Sequence, residues 1–412
     1  AASGGGMTAQ AAETESSDTV STQKAVTSDA ASLLFTEKHI TSDLTLPTIG
    51  ASGTTISWKS SNPSVLSNEG KVTRPKKGAA DEEVTLKGTV KMGDYAKARK
   101  FAFVVLAESE MGPTKEFALD QVELLDDYYL TAQNSDIEFL KKFDNDRLLS
   151  RFRETAGLDT KKIAPYGGWE DGWLGGHSVG HYLTAIAQAV KATGNADLKE
   201  KSKQLIKGLA ECQNKLGTGF IFGAKIETEG YVEKQFDILE GKTTGKTWVP
   251  WYNMHKMLTG LVDTYKYTGN KQALEVAKKL GDWIYNRVSK WDAGTQGRVL
   301  GTEYGGMNDC LYELYLCTRD SKHLEAAHKF DEPNLYKTVA KGGKNCLNGK
   351  HANTTIPKFL GALKRYVVLE QTGELTKDDE AYLTNVEKFF DIAVTRHAYI
   401  TGGVSVMEHF RK

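Results

Sequence analysis

The chain has 412 residues, 40% hydrophobic and 26% charged, which is enough for a large core and a length of two to three domains. Its 53 Lys and Arg balance 53 Asp and Glu, so overall charge supplies no drive toward nucleic acid or an anionic membrane. No apolar run approaches bilayer-spanning length, and four cysteines, Cys212, Cys310, Cys317 and Cys346, are too few for a disulfide framework.

Residues 1–30 carry Ala, Ser, Thr, Gly, Asp and Glu with almost no large apolar side chain. Such a segment buries too little to offset its ordering entropy, so a disordered leader is expected. The start at Ala1, without Met or an apolar h-region, reads as a removed signal peptide or an artificial start. From 31 to 110 the apolar period is two, as in Thr55–Lys59, Glu83–Val90 and Arg99–Val105, and about seven short strands in a β-sandwich are expected. Met111-Gly112-Pro113 marks a joint. From 114 to 412 the period becomes 3.6. Ten helices are expected, over 116–131, 136–154, 175–192, 197–215, 252–267, 271–289, 304–317, 321–330, 352–371 and 378–397.

Four short tips separate helices: Thr193-Gly194-Asn195, Thr268-Gly269-Asn270, Thr318-Arg319-Asp320 and Thr372-Gly373-Glu374. Gly suits the left-handed residue that ends a helix, and Asn or Asp suits the cap of the next. Each tip therefore reads as the turn of an antiparallel helical hairpin. The other connections are long and rich in Gly, His, aromatics and carboxylates. They run over 166–177, 248–255, 301–309, 350–357 and 401–408. If the hairpins stack into an α/α toroid, the tips lie at one end and the long loops meet at the other. Binding groups concentrate on loops held by a rigid scaffold.

Those loops suit a sugar, because aromatic faces pack on its C–H side and polar groups meet its hydroxyls. His177 and His181 stand at i, i+4 on one helix face. They could contact substrate, be structural, or ligate a metal, although no third ligand is evident nearby. His255, at the edge of an apolar stripe, is a substrate or core residue, and His351 a substrate residue or a helix cap. His39, His323, His328 and His397 lie outside the long loops and read as structural. Glycosidic cleavage usually needs two groups for proton transfer and base or nucleophile work. Glu170, Asp171, Glu303, Asp309 and Glu408 are the loop candidates, and residue type alone does not choose among them. Trp169, Trp173, Trp248 and Trp251 are sugar platforms or buried anchors.

The stretch Ser57-Trp58-Lys59-Ser60-Ser61-Asn62-Pro63-Ser64-Val65 with Gly70-Lys71-Val72-Thr73 resembles bacterial Ig-like modules. Over residues 114–412 a longer ordered set appears. It includes Asp146-Arg147-Leu148-Leu149, Gly168-Trp169-Glu170 and Gly176-His177 through Gly180-His181-Tyr182-Leu183. Pro250-Trp251-Tyr252, His255-Lys256, Glu303-Tyr304-Gly305-Gly306-Met307-Asn308, His351-Ala352-Asn353-Thr354 and Thr401-Gly402-Gly403 follow. This set resembles the N-terminal part of the catalytic domain of glycoside hydrolase family 127, the β-L-arabinofuranosidases and close relatives.

The resemblance implies an all-β Ig-like sandwich followed by an all-α (α/α)6 toroid, incomplete at its C-terminal end. It implies a retaining, exo-acting enzyme on β-linked L-arabinofuranose in plant glycans. The general acid/base would be Glu408. His255 and His351 would contact substrate, with His177 or His181 as a third, and Trp169, Glu303 and Asn308 join them as substrate-binding candidates from the loops. The family nucleophile is a cysteine thiolate on zinc, whose charge removes the thiol proton. The Glu-x-Cys and Cys-Cys motifs that hold that zinc lie beyond the acid/base, and none of the four cysteines here stands in them. The chain is thus expected to be the N-terminal portion of a secreted bacterial glycosidase, with no metal site and no turnover of its own. Zinc is expected only where those further motifs are present. A glycan is the expected partner, with neither nucleic acid nor membrane span. The alternatives are a non-catalytic glycan-binding or scaffolding protein, and a toroid enzyme using His177 and His181 with a metal.

Overall fold

A computed structural model describes residues 8–35, 37–76, 78–108, 116–170, 172–224, 231–343 and 345–411. The chain divides into two compact units, Ala1–Glu116 and Phe117–Lys412. The expected joint at Gly112-Pro113 lies outside the described residues.

The first unit is built on a sheet of four strands in the order β1-β4-β3-β2. These are β1 (His39–Ile40), β2 (Thr55–Ser60), β3 (Glu82–Met92) and β4 (Tyr95–Val105). The long strands fall where the period-two runs put them. Described strands number four rather than about seven. The segments between them form turns and single bridges, Ile49 to Thr55 and Leu66 to Val72, closed by Asn62 and Ser67 rather than by ladders. Trp58 packs into the core beside Phe35 and Phe101, and its indole N–H donates to the Pro47 carbonyl at 2.8 Å.

The expectation of disorder over 1–30 is corrected for residues 8–30, which lie within helix α1 (Thr8–Ser32). Composition hid a narrow stripe: Val26, Ala30 and Leu33, at i, i+4 and i+7, are buried against Ile56 and Val90 of the sheet. The Asp29 carboxylate accepts bonds from Ser52 and Thr54. Arg99 donates to the carbonyls of Ala30, Ala31 and Leu33 at the helix end, where cationic donors are favoured.

The second unit is helical. Among its described residues are four packed hairpins, one at each tip: α4 (His177–Thr193) with α5 (Ala196–Leu216), α7 (Pro250–Thr268) with α8 (Lys271–Val288), α10 (Met307–Thr318) with α11 (Ser321–His328), and α13 (Ala352–Thr372) with α14 (Glu380–His397), while α2 (Asp127–Lys141) and α3 (Asn145–Ala156) precede them and both pack on α5. Helices α4, α7, α10 and α13 pack successively as an inner row, and α5, α8 and α11 as an outer one, the layout of an α/α toroid. Three short helices were not expected: α6 (Lys234–Leu239), α9 (Ala293–Leu300) and α12 (Pro333–Ala340). The helices expected at 116–131 and 136–154 shift because caps set the boundaries. Asp126 accepts from the Tyr128 N–H, and Asp144 from Asp146 and Arg147. No described helix is long and apolar enough to cross a membrane.

The four tips have the geometry their residues suggest. Gly194, Gly269 and Gly373 are left-handed C-caps, and Asn195, Asn270 and Asp320 cap the next helix. Glu374 does not cap; it accepts from Thr372 and Tyr315. Arg319 holds the left-handed position at φ 56°, which costs a residue with a Cβ about 1 kcal/mol or more. Its guanidinium lies 5.1 Å from the Tyr315 ring, worth about 0.5 kcal/mol at an exposed site. Arg319→Gly should therefore raise unfolding stability by about 0.5 kcal/mol. A loss of that size in guanidinium melts would show that the ring contact outweighs the strain.

Candidate active site

Each inner helix begins where a long loop ends, so four N-termini gather at one end of the domain. His177 opens α4, and Tyr252, His255 and Lys256 lie in the first turns of α7. Met307 opens α10, and His351 stands at the N-cap position of α13 without a side-chain cap bond. The positive ends of the four helix dipoles add to the field there.

His177 is fixed by two acceptors. Its Nδ1 lies 2.6 Å from the Leu174 carbonyl and 3.1 Å from Glu170 Oε1, so Nδ1 carries a proton. Glu170 is itself buried and accepts from the Gly176 and Ser178 N–H groups. Burial pushes its pKa up, but the bonds from His177, Ser178 and Gly176 outweigh that and hold it below the usual carboxylate range. Glu170 is thus an ionised clamp for the α4 N-terminus rather than a proton donor.

One turn along, the His181 ring stands 6.0 Å from His177. Although part of its surface is open to water, its crowded position, the Lys256 ammonium and His177 pull its pKa to about 4. Tyr252 lies 6.5 Å from His177, and Lys256 Nζ sits 4.5 Å over the Tyr252 ring. Burial, then the charges of Glu303 and Glu408, raise the Tyr252 pKa against a hydrogen bond with Asn353. These interactions bring α4, α7, the 301–306 loop, α13 and the Glu408 turn to one place. His255 packs beneath, its ring so close to Gly305 that a Cβ there would meet Nδ1 at 2.5 Å. Burial, Lys256 and His181 hold His255 neutral.

Glu408 sits in a tight turn. Val406 and His409 exchange backbone hydrogen bonds of 2.9 and 3.1 Å, with Met407 at φ 49° and Glu408 at φ 64°. Both central residues are left-handed, as in a type I′ turn, an unusual conformation for residues with a Cβ. The Glu408 carbonyl accepts the Ala352 N–H at 2.7 Å, tying the turn to α13. Its exposed carboxylate is 3.2 Å from His351 Nε2, while His351 Nδ1 is 2.7 Å from the Thr354 hydroxyl. Since a carboxylate accepts, Nε2 donates. The His351 ring also stacks on His409 at 5.1 Å.

The remaining candidates divide. Trp169 is 70% exposed and Trp248 49%, open enough to serve as platforms. Trp251 is a buried anchor at 1%, wedged among Phe236, Trp291 and Phe330. Asn308 is a correction: it is fully buried, and its amide donates to Asp331 at 3.0 Å, so it cannot reach a substrate. Asp171 lies outside the described residues. Tyr252, Lys256 and Asn353 were not singled out; their signal was the i, i+4 pairing of Tyr252 and Lys256 at a helix start, like that of His177 and His181.

Deeper along the same helices, Asp309 is pushed up to about 6 by burial, with Glu313 and Asp263 adding to it against Lys364 and Lys266. A folded pKa above the unfolded value means stability is lost as pH rises from about 4 through 6. Asp309→Asn, which keeps the uncharged form, should gain about 1–3 kcal/mol at pH 8 and nothing below pH 4. A gain independent of pH in urea melts would exclude this origin.

The thiolate-bound zinc implied by the resemblance does not fit the cysteines present. Such a site needs sulfurs that converge. Cys212 and Cys310 are buried within α5 and α10, where burial drives the Cys212 thiol up to about 11 and the Cys310 thiol well above its usual value. Cys317 is in the last turn of α10, away from the helix starts, and Cys346 packs against the Tyr336–Phe359 cluster. Among the described residues no cysteine joins a group of possible metal ligands.

Parallel inner helices with their polar starts at one open end are the architecture of an α/α-toroid glycoside hydrolase. Residues 121–412 match the model of the β-L-arabinofuranosidase GH127 catalytic domain, and the chain belongs to that family. Residues 13–108 match the atrophied bacterial Ig domain. Among solved structures, a GH127 β-arabinofuranosidase is similar, at 17% identity and TM-score 0.48, covering 72% of this chain and 46% of that one. A GH127 β-L-arabinofuranosidase from Geobacillus stearothermophilus T6 is similar at 16% identity and TM-score 0.43, covering 68% and 44%. The chain thus spans less than half the length of either. A GH76 α-mannanase from Bacteroides thetaiotaomicron is 14% identical at TM-score 0.33, covering 70% of this chain and 89% of that one. No curated protein matches the chain.

Proposed function

We propose that this glycoside hydrolase domain binds a terminal β-linked L-arabinofuranose of a plant glycan and that Glu408 is the general acid/base of its retaining, exo-acting cleavage. The observation that carries this reading is the His351–Glu408 contact on a turn locked to α13. A proton donor must be held where the leaving oxygen arrives, and His351 fixes the carboxylate from behind while leaving it open to water. His177 Nε2 can hydrogen-bond with a sugar hydroxyl, and neutral His181 and His255 can accept from one. Lys256 and Tyr252 supply donors, Glu303 an acceptor, and Trp169 a face for the ring. Secretion by a bacterium belongs to the same proposal, on the strength of the resemblance.

The nucleophile is not supplied by Cys212, Cys310, Cys317 or Cys346. The 412-residue chain should therefore bind L-arabinofuranosides, take up no thiolate-held zinc and release no aryl product. His351→Ala should weaken sugar binding about 10-fold, the scale of one lost hydrogen bond to a charged or aligned group, while thermal unfolding barely moves. A stability loss of about 2–5 kcal/mol, typical of a core truncation, would instead make His351 structural. In a longer form of the protein carrying the Glu-x-Cys and Cys-Cys motifs, Glu408→Gln should cut turnover by about 10²–10⁴ with zinc retained. A longer form that holds sugar and never hydrolyses it would favour the glycan-binding alternative.

A further inference from the structure

At the opposite end of the hairpins, the third tip gathers Asp282 of α8 with Asp320 and His323 of α11, each offering a ligand atom within 4.8 Å of the others. His323 is fully buried. Its Nδ1 is 2.8 Å from the Thr318 hydroxyl. That hydroxyl already donates to the Leu314 carbonyl at 3.0 Å and accepts from the Asp320 N–H at 3.4 Å. Having one hydrogen to give, Thr318 must accept from His323, so the proton is on Nδ1 and Nε2 carries a lone pair. That lone pair has no hydrogen bond of good geometry, with only the Lys278 carbonyl of α8 close to the ring, and Asp282 Oδ1, a buried atom 3.8 Å away, has no hydrogen bond and only the Lys322 ammonium near it. Two acceptors thus face each other with no hydrogen between them, which is costly in a buried place. A Cβ on Gly281 would come within 2.7 Å of Nε2, so glycine keeps this side of the ring clear.

We propose that Asp282, Asp320 and His323 form a divalent-cation site that ties α8 to α11. Atoms about 2.1 Å from a tetrahedral ion lie about 3.4 Å apart, so a set now within 4.8 Å must draw in by up to about 1.4 Å, with His323 and Asp282, 3.8 Å apart, already near that spacing. Imidazole with two carboxylates selects Zn²⁺ over Mg²⁺ or Ca²⁺. Lys322 Nζ, 3.6 Å from Asp282 Oδ1 and half exposed, pairs with that carboxylate from the solvent side and can swing into water. Thr318 then orients the ring from the second shell, as metal-bound histidines commonly require. The site is independent of sugar chemistry, and its role is to clamp a tip whose C-cap, Arg319, is strained.

The test is equilibrium dialysis of the full chain against ZnCl₂, with thermal melts in Zn²⁺ and in EDTA. Asp282→Ala alters a partly exposed side chain and should melt as the parent does in EDTA. It should hold one equivalent less Zn²⁺ and lose the Zn²⁺-induced rise in melting temperature. Asp320→Asn keeps the helix cap and should weaken Zn²⁺ binding at least tenfold. Equal stoichiometry in parent and Asp282→Ala would place any bound zinc elsewhere, at His177 and His181 for example, and overturn the proposal. No bound Zn²⁺ in the parent would do so too, and would mean that His323 is satisfied by turning a proton toward the Lys278 carbonyl nearby.

Discussion

Arg365→Met should destabilise the helical domain by about 3–5 kcal/mol, the scale of breaking a buried ion network from one side. Arg365 is the only cation bonded to both Asp331 and Asp379 among the described hydrogen bonds, donating to Asp331 Oδ2 at 2.9 Å and to Asp379 Oδ1 at 2.6 and 2.8 Å. Both carboxylates are under 5% exposed. Asp331 also accepts from Tyr312 at 2.6 Å and from Asn308 at 3.0 Å, while Asp379 is held by Thr376. Burial already pushes the Asp331 pKa up despite these bonds. Without the guanidinium, its charge would have neutral donors alone.

Methionine replaces the stem that lies over Tyr382, 4.3 Å from the guanidinium, so the loss reads the charge rather than a cavity. Adding Asp331→Asn should recover part of it, since the second change removes the stranded charge. Urea melts of the two single variants and the double variant measure that coupling. A loss under about 1 kcal/mol for Arg365→Met would show that water reaches the carboxylates and that the network is peripheral.

That network also shows where residue type stops being informative. Asn308 stands in a Gly-rich loop beside Glu303, and from its surroundings it reads like a sugar contact. The deciding fact is that α13 presents Gly361 to it, so closely that a Cβ there would lie 2.0 Å from the Asn308 oxygen. Such an approach between segments more than fifty residues apart leaves no local trace. Hairpins were legible because each tip is a local device, a left-handed cap followed in three of the four by an N-cap. The convergence of His177, His255 and His351 followed from alternation of short and long connections, a matter of topology.

Tyr252 and Lys256 were harder. Tyr252 flanks a stripe of Met254, Met257, Leu258 and Leu261 that is buried, and sequence period does not say which edge of a stripe lines an opening. Helix α1 failed in the opposite direction. Its composition is that of a disordered tail, and among the described residues Val26, Ala30 and Leu33, at helical spacing, meet the sheet. Strand pairing depends on the same distinction. Val84, Leu86 and Val90 alternate inward and are buried, whereas the apolar residues between β2 and β3 are too scattered to build a ladder.

Gly180→Ala should cost about 3 kcal/mol, the upper part of the range for overpacking a tight interface, and should weaken sugar binding as well. Helices α4 and α7 meet backbone to backbone. A Cβ on Gly180 would lie 2.1 Å from the Lys256 carbonyl oxygen and 2.2 Å from its carbon. On the facing helix, a Cβ on Gly260 would meet the Gly180 carbonyl at 2.5 Å. Neither obstacle is a side chain that can rotate away, so the helices must separate by about an ångström to reach ordinary van der Waals contact. The spacing they would lose is that of the site, because His177 and His181 ride on α4 while Tyr252 and Lys256 ride on α7. His177 and Tyr252 stand 6.5 Å apart, a gap that a shift of this size would widen directly. Gly194→Ala serves as the comparison. It strains a left-handed cap at φ 69° with nothing within 4 Å of the new methyl, so it should cost about 1 kcal/mol and leave binding untouched. If Gly180→Ala binds sugar as the parent does while losing stability, the α4–α7 spacing is not what positions the site. If it loses neither, the close approach of these two helices is not rigid in solution.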